Sequence, residues 1–308
     1  MKKMKFNLIL LTVLSIFSSC SDYTDGINKS PNEFTDAPGD LLIGQANLAV
    51  IKINGSQASR ISGIWTDQFT GSDRQYISLD SYIVTSGDFD DDWSDLYTGL
   101  AQSKLAETKA IENDDIFLEG VSKIMQSHVM MGLVDSLGDI PWSQAVNAAE
   151  YPSPSVDDDA DVYAAARAML DEAAGYLGTA GGGDDLFYGG DVSKWVKLHN
   201  TLIMRYNLTT GNYAAALAQT NVIESAADDF EFKYGDQELQ PDTRHPWYGS
   251  DYTTSGANIY QSSWLMGHMA GSAEDYRNLF FDNWQPGTEA RLGDPRRKYY
   301  FYRQTWNT

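Results

Sequence analysis

Cysteine is nearly absent: Cys20 is the only one in 308 residues. A disulfide framework and a thiolate metal site are therefore both excluded, and a hydrophobic core must hold the fold. Basic residues are scarce as well, 22 Lys and Arg against 43 Asp and Glu. So acidic a chain repels phosphate backbones and offers anionic headgroups no basic patch, which argues against nucleic acid or charge-driven membrane binding. After Cys20 no apolar run reaches the ~20 residues that a spanning helix needs. Signatures of covalent chemistry are missing too: there is no G-x-S-x-G elbow, no H-E-x-x-H and, once Cys20 is modified, no nucleophilic thiol. Acidic residues are so abundant that some carboxylate pair would always be found, so their number does not argue for a glycosidase.

The four histidines, His128, His199, His245 and His268, are scattered. The first two fall on helical segments, where a hydrogen-bonded structural histidine is expected. Asp88, Asp90 and Asp92 form D-x-D-x-D, but Trp93 stands where a calcium loop requires Gly and Gly99 where it requires Glu. That run, like Asp157 to Asp159 and Asp161, reads as a solvated acidic helix start favoured by the helix dipole. No catalytic residue, metal ligand or cofactor site is implied.

The N-terminus, by contrast, is rich in information. Lys2, Lys3 and Lys5 precede an apolar run from Phe6 to Phe17, followed by Ser18, Ser19 and Cys20. A basic head, a short apolar run and small residues at the exit make a secretory signal over residues 1–19, and a cysteine directly after the exit suggests lipidation at Cys20. Removing the three lysines leaves 19 Lys and Arg against 43 acids, a mature charge of −24. Several acyl chains, at roughly 0.8 kcal/mol per buried methylene, would hold such a chain stably on a bilayer. Residues 20–40 are polar and rich in Pro and Gly, as in a flexible tether.

From residue 41 the pattern is helical. Residues 41–53 are mostly apolar, and Trp93, Leu96, Tyr97 and Leu100 repeat at i, i+3, i+4, i+7 on a helix running to about 112. Phe117, Val121, Ile124, Met125, His128 and Met131 mark the next, ending near Gly138. Asp161 is the expected cap of a third, Asp191 of a fourth carrying Trp195, Leu198, Leu202 and Tyr206, and a fifth is expected over 212–226. Trp93, Tyr97, Trp195 and Tyr206 are all assigned to core packing, and Trp142 to a helix junction. Helices joined by short loops, with little sustained alternation, predict an all-α body, scaffold to about residue 230 and loop-rich over 231–308. The stretch from Gly211 to Leu217 looks like the opening of a tetratricopeptide helix, although no 34-residue period accompanies it.

Residues 235–264 have no period yet hold Trp247, Tyr248, Tyr252, Tyr260 and Trp264, interleaved with Asp251, Asn258 and Gln261. Flat rings with polar groups at their edges are what a sugar requires, so these five are candidate ligand contacts. A second polar stretch between helices holds Trp65, Asp67, Gln68, Arg74, Gln75 and Tyr76; Gln68, Gln75 and Tyr76 join the candidate set.

Several segments together resemble the SusD/RagB family of outer-membrane nutrient-binding lipoproteins of Bacteroidetes. They are Asp135-Ser136-Leu137-Gly138-Asp139-Ile140-Pro141-Trp142-Ser143-Gln144-Ala145, the turn from Asp184 to Asp191, Lys194-Trp195-Val196-Lys197-Leu198-His199-Asn200 running to Arg205, Trp93 to Tyr97, and Asp294-Pro295-Arg296. The resemblance implies a scaffold of tetratricopeptide-like helix pairs with a loop-rich ligand face. It also implies a non-catalytic lipoprotein on the outer membrane, facing the exterior, that binds oligosaccharides and hands them to a SusC-like TonB-dependent transporter. A peptide-binding member of the same system is the alternative, and a glycoside hydrolase a third. His199 departs from the family pattern, and the chain, shorter than typical members, reads as a fragment truncated at its C-terminal side.

Overall fold

A computed structural model describes residues 37–269, except 56, 74, 184, 240, 241, 254 and 255, and residue 296; the side chains at 53, 75, 252, 253, 267 and 268 are also outside the description. The predicted signal, Cys20 and nearly all of the tether thus lie outside the described residues.

The scaffold is helical. Helix α1 (Gly39–Gly55) buries Leu42, Ile43, Ala46, Ala49 and Val50, a single stripe at helical spacing. Helix α2 (Gln57–Trp65) follows at once. After the three-residue strand β1 (Phe69–Gly71), helix α3 (Gln75–Asp80) and a 3₁₀ turn (Ser86–Phe89) comes the long α4 (Asp90–Glu112). Leu96, Leu100, Ala106 and Ala110 of α4 are buried, and Gly99 sets how close α4 comes to α1: a Cβ there would lie 2.3 Å from that of Ala49. Helix α5 (Ile116–Leu137) is apolar on nearly every side and is accordingly the central one, with Ile124, Met125, Val129, Met130, Met131 and Leu133 fully buried. Asp115 caps its start by accepting the Leu118 N–H at 2.9 Å, and Gly138, at φ +75°, ends it.

Helix α6 (Asp159–Leu177) packs along α5, α7 (Val192–Thr209) along α6, and the short α8 (Tyr213–Ala218) back on α7. Consecutive antiparallel pairing is what the tetratricopeptide-like expectation requires, and the all-α class holds. The loop before α7 closes on one carboxylate: Asp185 accepts N–H groups from Phe187, Tyr188 and Gly190 and the Trp195 indole, at 2.6 to 3.0 Å. Lys123 lies between α4, α5 and α6, bonded to Glu107 at 2.6 Å and Glu172 at 3.0 Å.

Four expectations need correction. Asp158, one turn before Asp161, caps α6 by accepting the Ala160 N–H, because its extended backbone aims the carboxylate at the helix start. The fifth helix stops at Ala218 instead of reaching 226. Beyond it the α7 side chains capture the backbone, Asn200 donating to the Asn221 carbonyl and Thr201 accepting the Ile223 N–H, and Leu217 stays 88% exposed with no partner face. Trp93 is 42% exposed and lies against Tyr97, not in the core, whereas Trp195 is fully buried as expected. Asp92 is buried, not solvated: it accepts the Ala58 N–H at 2.9 Å and so caps α2 across the fold. Trp142 sits half-buried beneath the Lys104 ammonium, 4.4 Å from its ring centre.

Past residue 231 come α9 (Pro246–Asp251), strands β2 (Tyr252–Thr253), β3 (Gly256–Ala257) and β4 (Ile259–Gln261), and α10 (Ser263–Met269). A small second core, Ile61, Ile64, Tyr76, Leu79 and Ile259 with Trp65, Phe69 and Phe89 against it, seats this region on α2 and α3. No helix among the described residues is long and apolar enough to cross a membrane.

Candidate ligand-binding site

The two polar stretches singled out in the sequence, some 190 residues apart, meet in space. Strands β1 and β4 pair antiparallel, with Phe69 opposite Gln261, Thr70 opposite Tyr260 and Gly71 opposite Ile259. The ladder continues outside the strands, the Ser262 N–H donating to the Gln68 carbonyl at 3.1 Å and the Ser72 N–H to the Asn258 carbonyl at 2.9 Å. Behind it lies a buried clamp. Asp251, 1% exposed, accepts from Arg60 Nε at 2.9 Å and from the Tyr76 hydroxyl at 2.8 Å. A carboxylate so deep is tolerated because a cation and a hydroxyl both reach it.

This clamp revises the candidate set. Tyr76, 3% exposed, is a core residue whose hydroxyl serves Asp251, so it offers no surface to a ligand. Asp251 and Asn258 are likewise buried rather than lining the rings, while Gln261 is exposed. Within β4, Ile259 turns into the second core, while Tyr260 and Gln261 are both exposed.

Three of the five rings are open. Tyr248 is 60% exposed, Tyr260 51% and Trp264 46%, large flat surfaces on one loop region. Trp247 is half-buried; its ring meets Phe69 edge-on at 5.3 Å and lies 5.8 Å from the Arg60 guanidinium, and its indole N–H is buried without a partner. Gln68 is exposed, its amide donating to the Thr66 hydroxyl. The side chains of Gln75 and Tyr252, like residue Arg74, lie outside the described residues; the Tyr252 backbone pairs with Ala257.

Between this region and the scaffold opens a cleft of about 420 Å³, within the size range of small-molecule sites. Gln68, Phe69 and Trp247 line it from the loops, and His128, Asp135 and Arg205 from α5 and α7. Arg205 pairs with Asp135 at 2.5 Å, and the Tyr163 hydroxyl donates to the other oxygen of that carboxylate. Burial, then the charge of Asp135, holds the Tyr163 hydroxyl well above the usual phenol range. His128 has Nδ1 buried and unpartnered, and burial together with the Arg205 charge pushes its pKa down to about 4. The expected hydrogen-bonded histidine is therefore found at His199, bonded to the Leu170 carbonyl at 2.7 Å and to Asn200, but not at His128. Helical spacing placed His128 correctly on α5 and said nothing about which neighbour would meet its ring. Asp135 and Arg205 belong to two separate segments that carry the family resemblance, and only the packing of α5 with α7 joins them.

Elsewhere, Asp139, Asp158 and Asp159 bring carboxylate oxygens within 4.8 Å of one another on the surface. Asp139 accepts the Asp159 N–H and Asp158 that of Ala160, so two of the three serve the start of α6.

Comparison with known proteins bears on what this site serves. Residues 31–307 match the model of a SusD-like family described as "Starch-binding associating with outer membrane". Among solved structures the chain is similar to a SusD/RagB family protein of Bacteroides thetaiotaomicron, at TM-score 0.64 and 21% identity over 75% of this chain and 51% of the other. It is also similar to a SusD homologue of Bacteroides fragilis, at 0.59 and 19% over 76% and 50%. A chitin-binding protein aligns at 0.51 and 26% identity over 61% and 45%. The chain thus spans about half the length of the solved relatives it matches.

Proposed function

The chain belongs to the SusD-like family, and on that premise we propose that it is a non-catalytic lipoprotein of the outer membrane that binds glycans. It is anchored through Cys20, faces the cell exterior, and hands its ligand to a SusC-like TonB-dependent transporter. The observation that carries the glycan reading is the set of three open rings, Tyr248, Tyr260 and Trp264, on the segment that the β1–β4 ladder and the Asp251 clamp tie to the scaffold and whose Trp247 lines the cleft. Large aromatic faces left against water are unfavourable unless something stacks on them, and the C–H face of a sugar ring matches their shape and polarity. The family description and the chitin-binding relative support the same ligand class.

Capture and release is the mechanism. The rings hold the oligomer by stacking, Gln68 and Gln261 take hydroxyls at the edge, and no bond is made or broken. Modest affinity suits delivery, since tight binding slows release to a transporter. Replacing Tyr248, Tyr260 and Trp264 together by Ala should abolish retention on an immobilised glycan, with chitin and starch as first matrices. Unchanged retention by the triple variant on a matrix that retains the parent would refute the assignment of this face.

A further inference from the structure

We propose that the cleft beside the open rings is a subsite for a sugar residue carrying an oxyanion, a carboxylate or a sulfate ester. This rests on the glycan-binding reading and narrows it to a ligand class. Its basis is the hydrogen-bonding capacity left unused around the cleft. Both oxygens of Asp135 are engaged, one by Arg205 and one by the Tyr163 hydroxyl. Arg205 has five N–H groups and spends one on Asp135; among the described residues it makes no other hydrogen bond, and its side chain is 44% exposed. Trp247 contributes an indole N–H, a donor with no acceptor capacity, buried and unpartnered. Unused donors therefore reach the cleft from two separate elements, and Asp135, the carboxylate among its described lining residues, is already paired.

A neutral sugar hydroxyl can accept from such donors only as an uncharged oxygen. An oxyanion brings acceptors alone and meets an arginine fork and an indole N–H through charge-assisted bonds. The Arg205 charge is also felt at His128 on the same cleft wall, where it adds to burial in lowering the imidazole pKa.

The test is a glycan array of matched pairs probed with the full chain. It carries uronic-acid oligosaccharides and their methyl esters, sulfated oligosaccharides and their desulfated forms, N-acetylated neutral oligomers, and acidic peptides. The acidic member of a pair should be retained at least ten-fold better. Arg205→Gln should abolish that preference, and Trp247→Phe, which keeps an aromatic ring while removing the N–H with the rest of the pyrrole ring, should reduce it several-fold. The second variant keeps the test decisive if the first fails to fold, as judged by its thermal melt. Which pair responds separates carboxylate from sulfate. Equal retention of both members, or a preference that survives both variants, overturns the oxyanion subsite and leaves the glycan reading standing. Retention of the acidic peptides alone overturns both.

Discussion

Lowering the pH from 7.5 to 4.5 should destabilise this protein through His128, by an amount the structure sets. In the unfolded chain an imidazole titrates near 6.5, whereas in the fold burial and the Arg205 charge hold His128 down at about 4. The unfolded state then binds the proton more readily, so this contribution is intact above pH ~7, shrinks as pH falls through 6.5, and stops changing below about 4. At ~1.4 kcal/mol per pK unit the full difference is about 3 kcal/mol, most of which is lost by pH 4.5. Water reaching the partly accessible ring trims this to about 2 kcal/mol.

Carboxylates across the fold also lose stability in acid, so the quantity to measure is a difference. Denaturant unfolding of the parent and of His128→Leu at both pH values gives it: the gap between them should widen in favour of Leu by about 2 kcal/mol at pH 4.5. A gap that stays within about 0.5 kcal/mol across the range would refute the reasoning, because His128 would then titrate alike in both states. Proton NMR offers an independent reading. The His128 ring should titrate near 4, and Arg205→Gln should raise that midpoint only in part, since burial is the larger cause.

Other perturbations test the frame around the site. Asp251→Ala strands the Arg60 guanidinium and the Tyr76 hydroxyl in a buried setting and should cost about 3–5 kcal/mol, with hydrogen exchange accelerating at Ile259 and Ser262; a loss below 1 kcal/mol would mean the clamp is dispensable. Gly99→Ala drives a methyl group into Ala49 and should destabilise by about 1–3 kcal/mol, while Gly175→Ala, on a helix with open space around it, should stabilise by about 0.5–1 kcal/mol; thermal melts of the pair decide whether packing or backbone freedom governs each site. Cys20→Ala should leave ligand binding intact in the purified protein while removing it from the membrane fraction and abolishing uptake.

The long helices were legible because a stripe of apolar residues at 3.6 spacing and an aspartate or glycine at the boundary are local signals, present within one or two turns. Leu96 and Leu100, Val121 to Met131 and Trp195 to Leu202 all lie where that periodicity puts them. The short pieces were not legible. Strands of two or three residues are too brief for alternation to register, so β1 and β4 read as irregular polar chain until each supplied the other with hydrogen bonds. Nor does a residue's type disclose its neighbour: Trp93 and Trp195 both sit on helical stripes, but only the second has a covering face, supplied by Tyr188 and Phe230.

By itself the sequence determined an acidic chain with a single cysteine and an all-α helix-pair scaffold, and it singled out two aromatic or polar loops. Composition and short-range periodicity suffice for these, since each depends on residues close together in the chain. Only the tertiary structure decided that the two loops form one face, that Tyr76 and Asp251 lock it from behind while Tyr248, Tyr260 and Trp264 stay open, and that His128, Asp135, Arg205 and Trp247 share a cleft. The pairs that fix this arrangement, Asp135 with Arg205 and Tyr76 with Asp251, lie 70 and 175 positions apart. Which of them form depends on the path of the whole chain and on which donors and acceptors that path leaves unpaired.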